Sequence, residues 1–366
     1  MKKYSALLFT SLLAATAHAQ FTAGNLALVH VGDGTTAMNG LGNNVAIDEY
    51  TTLGGLVQSF AIPQTGGTPF SMTGNATAEG ALSLSLDGAS LTFAGYQSAR
   101  LSSGSLAGST ASAVPRTIGQ ITYAGAFSMP VVSTSAFSAN SFRSALTDAA
   151  NNYWGSGVGQ GVTYMGNTAA AATIETAQTT LRVMNLVGGN IYFSAAQAIF
   201  SLSGLPQSGT ATPTSVISTA GTGTGTASSY DFAFNSAMTI AYVADDRSTA
   251  NGGGVQRWDW NGSAWALTYT LNTTGTNTTG GARGLAVDFS GLNPIVYATT
   301  TETANNRLVK IVDTGAASLE TDLAFAGAVK AFRGLEWTPT FIPEPSIIAL
   351  LSIGGIGFLA IRRRKN

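Results

Sequence analysis

Four arginines stand at one place in a recurring pattern. Arg143, Arg182, Arg283 and Arg333 each sit at the head of a strand-like run. A guanidinium is planar and permanently charged, and its fork of donors matches a carboxylate. Four of them in one register have two uses. They can attract an anionic ligand, or they can pin neighbouring segments through carboxylates and carbonyls, which is the commoner use. His30 offers less. It is the only histidine after position 19, it lies in an apolar alternating run (LALVHV), and the chain has no cysteine. One imidazole without thiols excludes the usual zinc constellations and reads as structural. No G-x-S-x-G surrounds a serine and no G-x-x-x-x-G-K-[ST] cradle is present, so no catalytic or metal-binding residue is assigned.

Carboxylates give a second candidate chemistry. Asp231, Asp245-Asp246, Asp288 and Asp148 fall in or after strand-like runs. Oxygens of this kind suit Ca²⁺, but no D-x-[DN]-x-[DN]-G loop occurs, and turn capping or pairing with Arg247 is the commoner use. Trp258, Trp260 and Trp265 (WDWNGSAW) lie close together. Trp258 and Trp260 share one strand face, suited either to stacking on sugar rings or to packing between sheets. Gly155–Gly161 (GSGVGQG) and Gly221–Gly225 (GTGTG) lack a βαβ context and read as turns or linkers. Residues 20–342 carry 11 basic and 17 acidic side chains, a balance of −6. An acidic body has no footprint for nucleic acid.

The elements that must position these groups are short strands. Charged residues make up only 10% of the chain, Gly numbers 44, and Cys is absent, a composition for strands and polar turns rather than helices. The clearest unit is Ala81–Tyr96 (ALSLSLDGASLTFAGY), where Leu82, Leu84 and Leu86 alternate with serine. Asp87-Gly88 then signals a two-residue hairpin, and Leu91 and Phe93 resume the alternation. Arg143–Trp154, Arg182–Phe193, Tyr230–Asp245 and Arg283–Ala298 repeat the theme, and Arg333 opens a truncated copy whose partner is Leu26–Val31 at the other end. Further strand-like runs follow each hairpin, giving about four strands per unit. Units begin near 81, 143, 182, 230, 283 and 333, at intervals of 62, 39, 48, 53 and 50. Such periods predict an all-β fold, a β-propeller of six four-stranded blades whose first and last strands close the ring together. Seven is the alternative count, because the 62-residue interval has room for a degenerate unit. A β-sandwich or β-solenoid is the competing architecture. In a propeller the four arginines fall at one mouth of the central channel. Ser102–Ser112, Gln207–Ser229 and Asn272–Gly281 read as flexible surface connections.

The two ends carry addresses. Lys2 and Lys3, the apolar Ala6–Ala15 and Ala17-His18-Ala19 form a signal peptide (residues 1–19) with cleavage between Ala19 and Gln20. Ser346–Ile361 is 16 residues without a charge and is predicted as a transmembrane helix; Arg362, Arg363, Arg364 and Lys365 follow as its cytoplasmic stop. Pro343-Glu344-Pro345 precedes it. This order of Pro-Glu-Pro, apolar run and basic cluster at residues 342–366 resembles the PEP-CTERM sorting signal of bacterial exported proteins. The resemblance implies recognition by an exosortase-type membrane protease. It also implies passage from an inner-membrane-anchored precursor to the cell surface or extracellular matrix, often alongside exopolysaccharide. Asp48-Glu49-Tyr50, Phe142-Arg143-Ser144 and Phe332–Trp337 give residues 20–341 a weaker similarity to propeller ectodomains of such proteins.

The expectation is a non-enzymatic surface propeller, binding or structural, without a cofactor beyond Ca²⁺, that binds or organises extracellular matrix and is linked to extracellular polysaccharide. A carboxylate-dependent glycan hydrolase or lyase and a structural surface-layer component are the alternatives. Ligand and oligomeric state have no signature.

Overall fold

In the computed structural model residues 20–166, 171–275 and 280–341 are described. The repeats fold as six four-stranded antiparallel sheets, the blades of a β-propeller. Blade 1 contains β1 (Leu26–Val31), β2 (Val45–Tyr50) and β3 (Leu56–Ile62). Blade 2 is β4 (Leu82–Leu84), β5 (Ser90–Tyr96), β6 (Arg116–Thr122) and β7 (Phe127–Ser133). Blade 3 is β8 (Phe142–Thr147), β9 (Tyr153–Gly157), β10 (Thr163–Tyr164) and β11 (Ala172–Thr173). Blade 4 is β12 (Met184–Val187), β13 (Asn190–Ala195), β14 (Ala198–Leu202) and β15 (Thr214–Ser218). Blade 5 is β16 (Ser229–Phe234), β17 (Ile240–Asp245), β18 (Gly254–Trp260) and β19 (Trp265–Leu271). Blade 6 is β20 (Ala282–Asp288), β21 (Ile295–Thr300), β22 (Arg307–Val312) and β23 (Glu320–Phe325). The last strand, β24 (Ala331–Trp337), returns to blade 1 as its innermost strand and pairs with β1, Leu26 opposite Trp337. Both ends of the domain thus close the ring.

Apolar side chains from both faces of the sheets fill the spaces between blades. Ile199, Ile217, Phe232, Val243 and Trp258 make one such layer between blades 4 and 5. Leu26, Leu28, Ala286, Tyr297, Leu308 and Leu335 make another between blades 6 and 1. Inner strands also bond directly around the axis. The Gly334 amide donates to the Gly80 carbonyl at 2.9 Å, and Ala81 to Arg143 at 3.2 Å. The Ser83 hydroxyl donates to the Met184 carbonyl at 2.6 Å.

Several local expectations change. Asp87-Gly88 sits in a four-residue connection, because Ser85 and Ser90 are the last bonded pair and the Asp87 carboxylate accepts from Ser85 Oγ and the Ala89 amide. Gly155 and Gly157 belong to β9 rather than a turn. A Cβ on Gly155 would lie 2.5 Å from the Phe142 ring, so glycine is needed where that ring crosses the strand. Gln207–Ser229 contains β15, and Ser102–Ser112 buries Leu106 and Ala111 fully, so neither is only a surface connection. The long 62-residue interval holds that packed excursion between β5 and β6 and no seventh blade.

Candidate functional site

The six inner strands run from one mouth of the channel to the other, and the two mouths differ. At the first, the arginines gather near the start of their strands. Arg333 is almost wholly buried; its guanidinium donates to the carbonyls of Ala76 at 2.6 Å and Gly74 at 2.7 Å. Burial and the neighbouring Arg283 lower its pKa to about 10. Arg143 donates to the Leu181 carbonyl at 3.1 Å. Arg182 donates to Ser228 Oγ at 2.6 Å and the Ser229 carbonyl at 3.1 Å. Arg283 pairs with Asp246 at 3.1 Å. The Tyr230 ring lies between two of them, 4.4 Å from the Arg182 guanidinium and 5.5 Å from that of Arg283. Glu79, in the connection before β4, is buried beside Arg333 and accepts from Tyr96 at 2.6 Å and Thr73 at 2.7 Å. The cavity here, bounded by Thr77, Glu79, Tyr230, Asp231, Arg283 and Arg333, is small, about 20 Å³.

The second mouth opens wide. A cavity of about 650 Å³ is bounded by Asn185, Tyr192, Phe234, Phe289, Glu336 and Trp337, from the ends of the inner strands and their turns. A second cavity of about 480 Å³ adjoins it between blades 5 and 6, sharing Asn235, Ser236 and Phe289. Its floor is polar. Asp313 is buried and accepts from Tyr242, from Tyr269 at 2.8 Å, from Arg257 at 3.0 Å and from the Gly315 amide at 3.0 Å. These donors hold Asp313 ionised, with its pKa below the usual carboxylate range despite burial.

Two carboxyls behave differently. Asp231, buried on the wall of the narrow-mouth cavity, accepts from the Leu285 amide at 3.0 Å, the Phe232 amide at 2.9 Å and Asn185 at 2.9 Å. Burial outweighs these bonds and pushes its pKa up to about 7. Glu336, on the cavity wall, accepts from the Trp337 amide at 2.8 Å and is pushed by its surroundings up to about 8, with Asp231 adding repulsion. A carboxyl that keeps its proton near neutrality can donate a hydrogen bond or a proton to a bound group.

The remaining candidates take structural places. His30 Nδ1 lies 2.7 Å from Asp48, and Ser59 Oγ reaches the same carboxylate rather than the ring, so no relay forms. Asp245 is buried against Arg247 at 2.8 Å. Asp288 and Asp148 accept backbone amides in their turns at 2.8 Å, from Ser290 and Ala150. Among the described residues no group of three or more His, Cys, Asp or Glu is placed to hold a metal ion. Trp258 is a core residue; Trp260 is exposed and meets Trp265 edge-on at 5.9 Å, away from both cavities. Sequence reasoning missed Phe289, Tyr192 and Glu336. Phe289 follows Arg283 by six residues, Tyr192 follows Arg182 by ten and Glu336 follows Arg333 by three, so no single spacing within the repeat points to them.

The tail is decided by comparison. Residues 341–365 match the model of the PEP-CTERM protein-sorting motif. The chain carries a PEP-CTERM sorting signal. A PEP-CTERM signal implies an exported protein, anchored at the membrane and then processed at the cell surface by an exosortase, a membrane protease. The signal peptide 1–19 with Ala19, Pro343-Glu344-Pro345, the apolar run 346–361 and Arg362–Lys365 lie outside the described residues. Among the described residues no helix is long and apolar enough to cross a membrane. No curated protein matches the chain. Solved structures similar in shape include a nidogen/laminin complex (9% identity, 86% of this chain and 98% of that one, TM-score 0.49). A putative 6-phosphogluconolactonase from Bacteroides uniformis is another (12%, 88% and 85%, TM-score 0.43). So is a periplasmic gluconolactonase from Pseudomonas aeruginosa (11%, 82% and 83%, TM-score 0.43). Similarity at this level carries no argument about activity.

Proposed function

We propose that residues 20–341 form a non-enzymatic ectodomain that binds extracellular polysaccharide across its wide mouth. Residues 1–19 act as the export leader, 346–361 as the transient anchor and 362–365 as its cytoplasmic stop. The observation that carries the reading is the joining of two cavities into one groove. Its centre has the aromatic faces of Tyr192, Phe234, Phe289 and Trp337, and its outer end has Arg257, Asp259, Asn293 and Thr268. Sugars need both surfaces. Their C–H faces stack on rings, and their hydroxyls require donors and acceptors fixed in advance. The Asp313 network holds those groups in place. A groove open to solvent suits a chain that passes through rather than a small molecule that is enclosed.

The test is a glycan-array screen of the full chain, repeated with Phe289→Ala. Removing the ring shared by both cavities is expected to weaken any bound polysaccharide about tenfold, equivalent to roughly 1.4 kcal/mol. Absence of binding to every glycan, or equal binding by the variant, would sink the reading. A second reading, cleavage of such a glycan, is favoured by Glu336, whose raised carboxyl sits on the cavity wall and could act as a general acid. Release of reducing ends with a rate that collapses in Glu336→Gln would select it.

A further inference from the structure

The narrow mouth was built at a cost that its own contacts do not explain. Four blades of six send a guanidinium there: Arg333, Arg143, Arg182 and Arg283. Among the described residues only Arg283 has a carboxylate within ion-pair distance, Asp246 at 3.1 Å. The other three donate to carbonyls and a hydroxyl, which are neutral. The Nε atoms of Arg143 and Arg333 are buried without an acceptor among the described residues. Arg333 lies close enough to Arg283 to feel its charge, and Arg143 close enough to Arg182. Two carboxyls line the cavity beside this group, and both are occupied: Glu79 accepts from Tyr96 and Thr73, and Asp231 from Asn185 and the Phe232 and Leu285 amides. Cations crowded in a half-buried space, with unused donors, favour an anion between them.

We propose that this mouth is an anion site that takes a single carboxylate group, carried by a uronic-acid residue of an acidic polysaccharide or by a free sugar acid. Size sets the class. A cavity of about 20 Å³ admits one small group and no sugar ring. Shape favours a planar anion, because the guanidiniums on the cavity lining are fixed in orientation, Arg333 by the Ala76 and Gly74 carbonyls and Arg283 by Asp246 and the Thr301 carbonyl. Tyr230, between Arg182 and Arg283, keeps those two cations apart while attracting both to its faces. The ring of the sugar would rest outside, against Thr77 and Ala78 at the rim. This site is independent of the wide groove, so either can fail alone.

The experiment uses the full chain in detergent with glucuronate, polyglucuronate and glucose at matched ionic strength. Glucuronate is expected to raise the melting temperature and glucose to leave it unchanged. Polyglucuronate binding at least tenfold tighter per residue than the monomer would identify the polymer as the source; equal binding would identify the free acid. Arg283→Gln with Arg333→Gln, the two guanidiniums on the cavity lining, is expected to weaken glucuronate at least tenfold, while Phe289→Ala leaves glucuronate binding unchanged. The wild-type melting shift stands even where the double variant folds poorly. Equal stabilisation by chloride or sulfate at the same ionic strength would overturn the carboxylate assignment. So would a double variant that folds and binds as well as the original.

Discussion

At the narrow mouth, charge is concentrated and the backbone is crowded; at the wide mouth, charge is dispersed and rings line an open space. The same strands build both. Arg283 and Val287 stand four residues apart on β20, and Arg333 and Trp337 four apart on β24, yet one end of each strand touches its neighbours through glycine and the other spreads apart. Crowding fixes the arginines by direct contact between blades. Spreading leaves the wide mouth to be held by polar networks behind its surface, of which Asp313 is the centre. Both ends are tied by hydrogen bonds, and the narrow one adds close backbone packing through glycine.

The comparison breaks most sharply at Gly334. A Cβ there would collide with the Gly80 carbonyl and the Leu82 amide nitrogen. Gly334→Val is therefore expected to prevent ring closure, seen as loss of the cooperative melting transition. A variant melting within a few degrees of the original would show that the narrow mouth is not crowded. At the other end, Asp313→Ala strips the acceptor from Arg257, Tyr242 and Tyr269 and leaves a cation half-buried and short of one partner. Its expected cost is about 3–5 kcal/mol in denaturant unfolding. A loss below about 1 kcal/mol would mean that the wide mouth is held by packing after all.

A smaller effect follows from pH. Asp231 rises from 3.8 to about 7 and Glu336 from 4.5 to about 8 on folding. A carboxyl so raised keeps its proton in the native state where the unfolded chain has lost it. Stability should then decline as pH rises from about 4 to about 8. Asp288 and Asp313 are shifted the other way and act only below that window. Melting temperature is expected to drop by several degrees across the range, with Glu336→Gln removing part of the slope. A flat profile would show that neither carboxyl is raised.

The ring and its closure were legible because the first two strands of most blades form hairpins with clear alternation, as in Leu82, Leu84, Leu91 and Phe93. Of the outermost strands, Leu56–Ile62 and Trp265–Leu271 were legible too, but others were not. Thr214–Ser218 and Glu320–Phe325 expose much of both faces, so they carry no alternation: the first lies in a stretch that reads as linker, and the second gives no strand signal. The arginines were found because a head-of-strand position repeats in sequence. The rings of the wide mouth sit at different places in their units, Tyr192 within β13, Phe289 just after β20 and Trp337 at the end of β24, and only the closed fold brings them together. No spacing rule reports a neighbourhood made by closure.

That the innermost strand of blade 1 is the last to be synthesised has a further consequence. Until Trp337 has crossed the membrane, blade 1 lacks its axial strand and the torus stays open beside blade 6. Maturation must therefore wait for the far end of the polypeptide, a few residues ahead of the sorting signal. A chain cut short in translation loses both its address and its ability to finish folding, so what the sorting machinery receives has passed a test of completeness.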